Sequence, residues 1–345
     1  MWEWLKSLWE DPAENYAAAY LSGRDGDPLP STEIASGKQY FTISLECMHL
    51  VHAREGITKF YGVFSGRIGF DLASGPEAIT LIVSPDALKG VEKAQYERVI
   101  VQTVPLCEKI PYVGGSIDLR LALLSLEATN LLSGIVDVLT SVAKAAGIGY
   151  VEQAKTFLGP LEKGIGLLVR QGGTEIGLYK SVNELKTGYY CVARAPVGRL
   201  NLTKCRLSSD WELTDQNGKA ITEVPYFVLR VQSHENKGNF ARIPSIREAY
   251  AKLRDAVLKG KGKEHQKAAK EAFEFFRRTV IWSADLQPHD REEMIEFARK
   301  QLETSFPAQR TSAEKHTQAV AARRTFPQLE QLVPWHDADD RTTRQ

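Results

Sequence analysis

From about residue 39 the chain sets hydrophobic and polar residues in strict alternation. Phe41, Ile43, Leu45, Cys47, His49 and Val51 fall on one side of an extended segment. Thr42, Ser44, Glu46 and His52 fall on the other. Successive side chains of a strand point to opposite faces, so this pattern predicts a β-strand with one apolar face. Further strands are predicted at "KFYGVFSGRIGFDL", "AITLIVS", "RVIVQTVPL" and "GSIDLRLALLSL". In the last of these, Ile117, Leu119, Leu121 and Leu123 alternate with Ser116, Asp118 and Arg120. Such alternation predicts an antiparallel sheet with one wet face. The separators "EGI", "SGPE" and "YVGGS" are turn chemistry. Strands resume at "TEIGLYKS", "GYYCVARAP", "KCRLSSDWELTD" and "YFVLRVQS". The last two flank "DQNGK", where Asn217-Gly218 suits a type I′ hairpin turn.

Three other stretches carry the 3.6-residue period of a helix. Residues 2 to about 20 place Trp2, Leu5, Leu8 and Trp9 on one stripe. Between 129 and 170, Leu132, Ile135, Leu139 and Val142, then Val151, Leu158, Leu161 and Ile165, predict a helical hairpin broken at "GIG". Near the C-terminus "SIRE" (245–248) reads as a capping box opening a helix with Ile246, Tyr250, Leu253 and Val257 inward. A second helix carries Ala269, Phe273, Phe276 and Val280, and a third begins near Asp290 and is lined by Met294, Phe297, Ala298 and Leu302. The expectation is therefore an α+β fold: an antiparallel, β-rich, sandwich-like domain with an inserted helical hairpin and a C-terminal helical unit. The boundaries read as an N-terminal helix and linker over 1–38, the β domain over 39–240, the helical unit over 241–306, and a loose, mostly disordered tail over 307–345.

Composition changes this picture little. Of 345 residues, 44 are Lys or Arg and 43 are Asp or Glu, and 43% are hydrophobic. Balanced charge argues against a global electrostatic partner such as duplex nucleic acid or an anionic membrane. The four cysteines, Cys47, Cys107, Cys191 and Cys205, show no CxxC pairing and read as buried thiols of a cytoplasmic protein. The acidic, aromatic N-terminus lacks a basic region followed by an apolar core, and no uncharged run approaches the roughly eighteen residues of a membrane span.

The densest group of reactive side chains is Cys47, His49 and His52. On a strand, Cys47 and His49 share a face while His52 points away, so the three cannot converge on one tetrahedral ion. The reading is a packed pair, its imidazole hydrogen-bonded to backbone. No GxSxG, Walker A, HExxH or post-strand GxGxxG occurs. "KGKGKEHQK" (259–267) has lysines but no interleaved aromatics, and it reads as a solvated loop rather than a strand-binding site for nucleic acid. The tail group His336, Asp337, Asp339 and Asp340 lacks a rigid frame for a metal. No catalytic residue, metal site or cofactor is assigned.

The function expected is a non-catalytic protein–protein interaction or scaffold component of a cytoplasmic assembly, engaging a protein partner or a second copy of itself. Trp2, Leu5 and Trp9 are the expected partner-binding residues, because large apolar side chains on one stripe rarely stay solvated. Two alternatives stand beside it. One is a membrane-acting effector using the Trp-rich helix and the 129–170 hairpin. The other is an enzyme whose site is assembled from distant strands.

Overall fold

Alternating apolar positions bury one side of each strand, and two such sheets face each other in the first part of the chain. The computed structural model describes residues 16–21, 23–51, 54–55, 58–72, 75–83, 99–127, 173–195, 200–238, 240–260 and 262–306. It divides the chain into two compact units, 1–234 and 235–345. The division falls just ahead of the expected boundary at 240.

In the first unit, one sheet runs in the order β1 (Tyr16–Leu21), β9 (Gly188–Arg194), β12 (Tyr226–His234), β2 (Tyr40–His49) and β6 (Val99–Pro111). All its pairings are antiparallel. The other sheet places β7 (Ile117–Glu127) between β4 (Thr58–Leu72) and β8 (Gly173–Val182). There β5 (Gly75–Val83) and the two-residue β3 (Arg54–Glu55) also pair with β4. Aromatic rings join the sheets: Phe64 meets Phe227 edge-on at 5.1 Å, and Phe41 meets Phe70 at 6.1 Å. The α+β class and the antiparallel sandwich read from the sequence are what the chain adopts.

Several local expectations are corrected. Tyr16–Leu21 is a strand, not the end of a helix, because Tyr16 through Leu21 pair residue by residue with Arg194 through Tyr189. Next, β2 has no wet face: every residue from Tyr40 to His49 is buried. Its second face lies under a cover from residues 202–213, where Leu202, Cys205, Leu207 and Leu213 pack on Cys47, Tyr189, Cys191, Tyr226 and Val228. The wet face does hold for β7, where Ile117, Leu119, Leu121 and Leu123 are buried and Arg120 is exposed. The turn at "DQNGK" is not type I′, because among the described residues only Lys109 and Trp211 are non-glycines with positive φ. Instead Gly218 N–H donates to Asp215 O at 3.0 Å with Gly218 at φ +78°, and the Asp215 carboxylate accepts from Asn217 and Lys219 N–H. The pairing across that turn is a single bridge, Thr214 to Ala220, while β11 (Leu213–Thr214) pairs with β10 (Arg206–Leu207). Finally, no capping box forms at "SIRE": Ile243 is the N-cap, without a side-chain cap bond, and Pro244 occupies the first turn.

The second unit contains α1 (Pro244–Leu258), α2 (Lys263–Ile281) and α3 (Pro288–Ser305). Residues 263–267, expected in a loop, form the first turn of α2. Apolar residues three and four apart form each inner face. Ile246, Ala249, Tyr250, Leu253 and Val257 line α1, and Ala269, Phe273, Phe276 and Val280 line α2. Met294 and Ala298 are the buried apolar residues of α3. Tyr250 and Phe276 place ring centroids 5.6 Å apart between α1 and α2.

Candidate docking surface

The Cys47–His49 group is structural in its surroundings. A β-bulge changes the phase of β2 here: Val228 pairs with Cys47 but the next residue, Leu229, pairs with Leu45. Glu46 is the extra residue. Phe41, Ile43 and Leu45 therefore keep the sandwich interior, while Cys47 and His49 turn to the other face, against the sequence reading that put all five together. His49 stacks on Tyr226 at 5.0 Å, and its Nε2 lies 3.2 Å from the Thr222 carbonyl. A carbonyl only accepts, so Nε2 carries the proton in that bond. The buried Glu46 carboxylate accepts from Ser44 Oγ at 2.7 Å and Thr103 Oγ1 at 2.8 Å.

All four cysteines are free and buried. Burial, then the neighbouring Cys191 and Glu46, pushes the Cys47 thiol well above its ordinary range. Burial and the nearby Cys205 do the same to Cys191. A thiol is a weak nucleophile and a poor metal ligand until it ionises, so these are thiols of a core. Among the described residues no group of three or more His, Cys, Asp or Glu could hold a metal ion. In the same cluster the Tyr189 hydroxyl donates to Asp27 at 2.6 Å, and Arg24 stacks 4.6 Å over Trp211, which packs against it.

Among the described residues, two of the exposed large apolar side chains lie on one side of α2. Its inner residues Ala269, Phe273, Phe276 and Val280 leave Phe275 and Trp282 roughly opposite, seven residues and about 10 Å apart along the helix. Phe275 is 44% exposed and Trp282, the C-cap, 82%. Lys252 of α1 holds its ammonium 4.9 Å from the Phe275 ring centroid. Arg278, between the two aromatics, bonds the Glu274 carbonyl through Nε at 3.3 Å.

Trp282 projects from a fixed base. Its N–H donates to the Arg278 carbonyl, and the residues just after it, Ser283 and Asp285 to Gln287, are buried. Arg291 donates to Ser283 O at 2.8 Å, and Asp285 faces the buried Lys237 ammonium at 3.7 Å. Asp290, fully buried in the first turn of α3, accepts the Lys237 N–H at 3.0 Å. A large aromatic on an immobile backbone loses little further entropy on binding, which is the physical profile of an interface anchor.

Sequence reading placed the partner site elsewhere. Trp2, Leu5 and Trp9 lie outside the described residues, as do His52, the 129–170 hairpin and the tail from 307. Phe275 and Trp282 lie outside the inward apolar stripe by which the sequence predicts this helix. The signal was present in "FEFFRRTVIW": once Phe273, Phe276 and Val280 define the core side, Phe275 and Trp282 must lie off it.

No protein-family model, curated protein or solved structure matches the chain. No helix among the described residues is long and apolar enough to cross a membrane.

Proposed function

We propose that this chain is a non-catalytic interaction module, a scaffold component of a cytoplasmic assembly, that docks a protein partner through the Phe275–Trp282 face of α2. The observation that carries the reading is Trp282, 82% exposed at the end of a helix whose following turn is buried and pinned. Tryptophan is enriched among the few residues that carry most of the binding energy of an interface. The Cys47–His49 group supports a non-catalytic role, since its thiol is held protonated and its imidazole is committed to Thr222 and Tyr226. Four free, buried thiols fit a reducing compartment.

Nucleic acid fits the face less well. Glu271 and Glu274 are exposed on the outer side of α2 with Arg277 and Arg278, and Glu274 pairs with Arg277 at 3.0 Å. A phosphate track requires one sign of charge along its length. The test is affinity capture with the full chain and with a Phe275→Ser/Trp282→Ser variant. Loss of a discrete protein partner from the variant supports the reading. Capture that is unchanged, or capture of nucleic acid alone, contradicts it.

A further inference from the structure

We infer that the Phe275–Trp282 face is the docking site for residues 326–335 of the same chain, an apolar segment followed by an acidic cluster at 337–340. This rests on the docking reading above and names the occupant. Three features of the chain point to it.

The first is charge. Residues 244–281, which span α1 and α2, carry ten Lys and Arg against five Asp and Glu. Residues 326–340 carry four Asp and Glu (Glu330, Asp337, Asp339 and Asp340) and no Lys or Arg. In a chain whose net charge is only +1, these are opposite local excesses. Lys252 brings positive charge beside the Phe275 ring, where the acidic cluster that follows the segment gains most.

The second is the spacing of apolar residues. Phe326, Leu329 and Val333 recur at i, i+3 and i+7, followed by Trp335. This is the anchor spacing of a short helix that lays its apolar face against a partner surface. Phe275 and Trp282 present a matching two-turn interval on α2.

The third is reach. Nineteen residues lie between Phe306, just past α3, and Phe326. A chain of that length spans up to about 65 Å, more than twice the ~28 Å length of α2. Such a tether supplies the segment at roughly millimolar effective concentration. Weak contacts then suffice for occupancy within one chain, and an outside partner must displace them.

The test replaces Trp282 in the full chain with the photoreactive p-benzoylphenylalanine and irradiates the purified protein at low micromolar concentration. Trypsin cuts after Arg324 and Arg341, with no Lys or Arg between, so residues 325–341 emerge as one fragment. The expected product joins that fragment to the one bearing position 282. In an equal mixture of light and heavy isotope protein, both fragments should come from one chain. Combining the replacement with Leu329→Asp and Trp335→Asp should reduce the product at least tenfold. Mixed-isotope products would assign the face to a second copy and overturn the inference, as would cross-links confined to other parts of the chain. Irradiation in cell extract separates the two claims. A cross-link to a foreign protein without one to 325–341 sinks the inference and keeps the docking reading, and no cross-link to any protein sinks both.

Discussion

His49 lies stacked on Tyr226, ring centroids 5.0 Å apart and planes within 29° of parallel, while its Nε2 bonds the Thr222 carbonyl at 3.2 Å. The imidazole therefore ties β2 to β12 and to the loop that leads into β12. His49→Ala removes the stacking and withdraws a donor from a buried region, for an expected cost of about 2 kcal/mol. Urea unfolding measures it. A change under about 0.5 kcal/mol would show that the ring is not a structural tie.

The buried thiols give stability a pH dependence of known sign. Burial raises Cys47 and Cys191 above their unfolded values, so the folded chain keeps protons that the unfolded chain releases. Their contribution is complete below about pH 8.5 and declines above it, at up to ~1.4 kcal/mol per pH unit for each thiol. The urea midpoint should therefore fall from pH 8 to pH 10, and less steeply in Cys191→Ala. Ellman's reagent should leave all four thiols untouched in the native chain and titrate them in denaturant. Rapid modification of Cys47 in the folded protein would reinstate it as a reactive site.

Gly188 opens β9 at φ +143°, with the ring of Tyr20 lying where a side chain would begin. Tyr20 is itself held by its hydroxyl bond to Leu29 O at 2.9 Å. Gly188→Ala must strain the backbone and displace that ring, so it should cost about 2–4 kcal/mol. Hydrogen exchange should show the loss concentrated in β1. Uniform weakening across both sheets would contradict this account of how β1 is held.

The pattern of sheets was legible in the sequence wherever alternation continued unbroken, as in Ile117 to Leu123. It failed at Glu46, because a bulge is chosen by the partner strand and leaves no mark on its own strand's hydrophobicity. It failed again at "YAAAYL", where three alanines favour a helix locally and only pairing with β9 makes a strand. The docking face was half legible. The inward stripe of α2 was plain, but the exposure of Trp282 depends on the turn behind it, which Lys237, far off in sequence, helps to pin.

That turn can be loosened from behind. Asp285→Ala removes a carboxylate that a buried ammonium faces at 3.7 Å, and one-sided loss of such a pair costs about 3–5 kcal/mol. Asp285→Asn, which retains polarity and volume, should cost less. Thermal unfolding of the two variants beside the native chain checks the order. Equal stability of all three would mean that the turn after Trp282 is not held by this pair.

In the proposed docking role, Trp282 binds rather than stabilises. The most direct measurement is the dissociation constant of the captured protein partner for the full chain and for Trp282→Ser, taken alongside the melting temperature of each. An exposed side chain contributes within about 0.5 kcal/mol to folding, whereas an interface anchor contributes about 2 kcal/mol or more to binding. Affinity should weaken roughly thirtyfold with melting unchanged. Equal affinity, or a loss of affinity that merely follows a loss of stability, would contradict it.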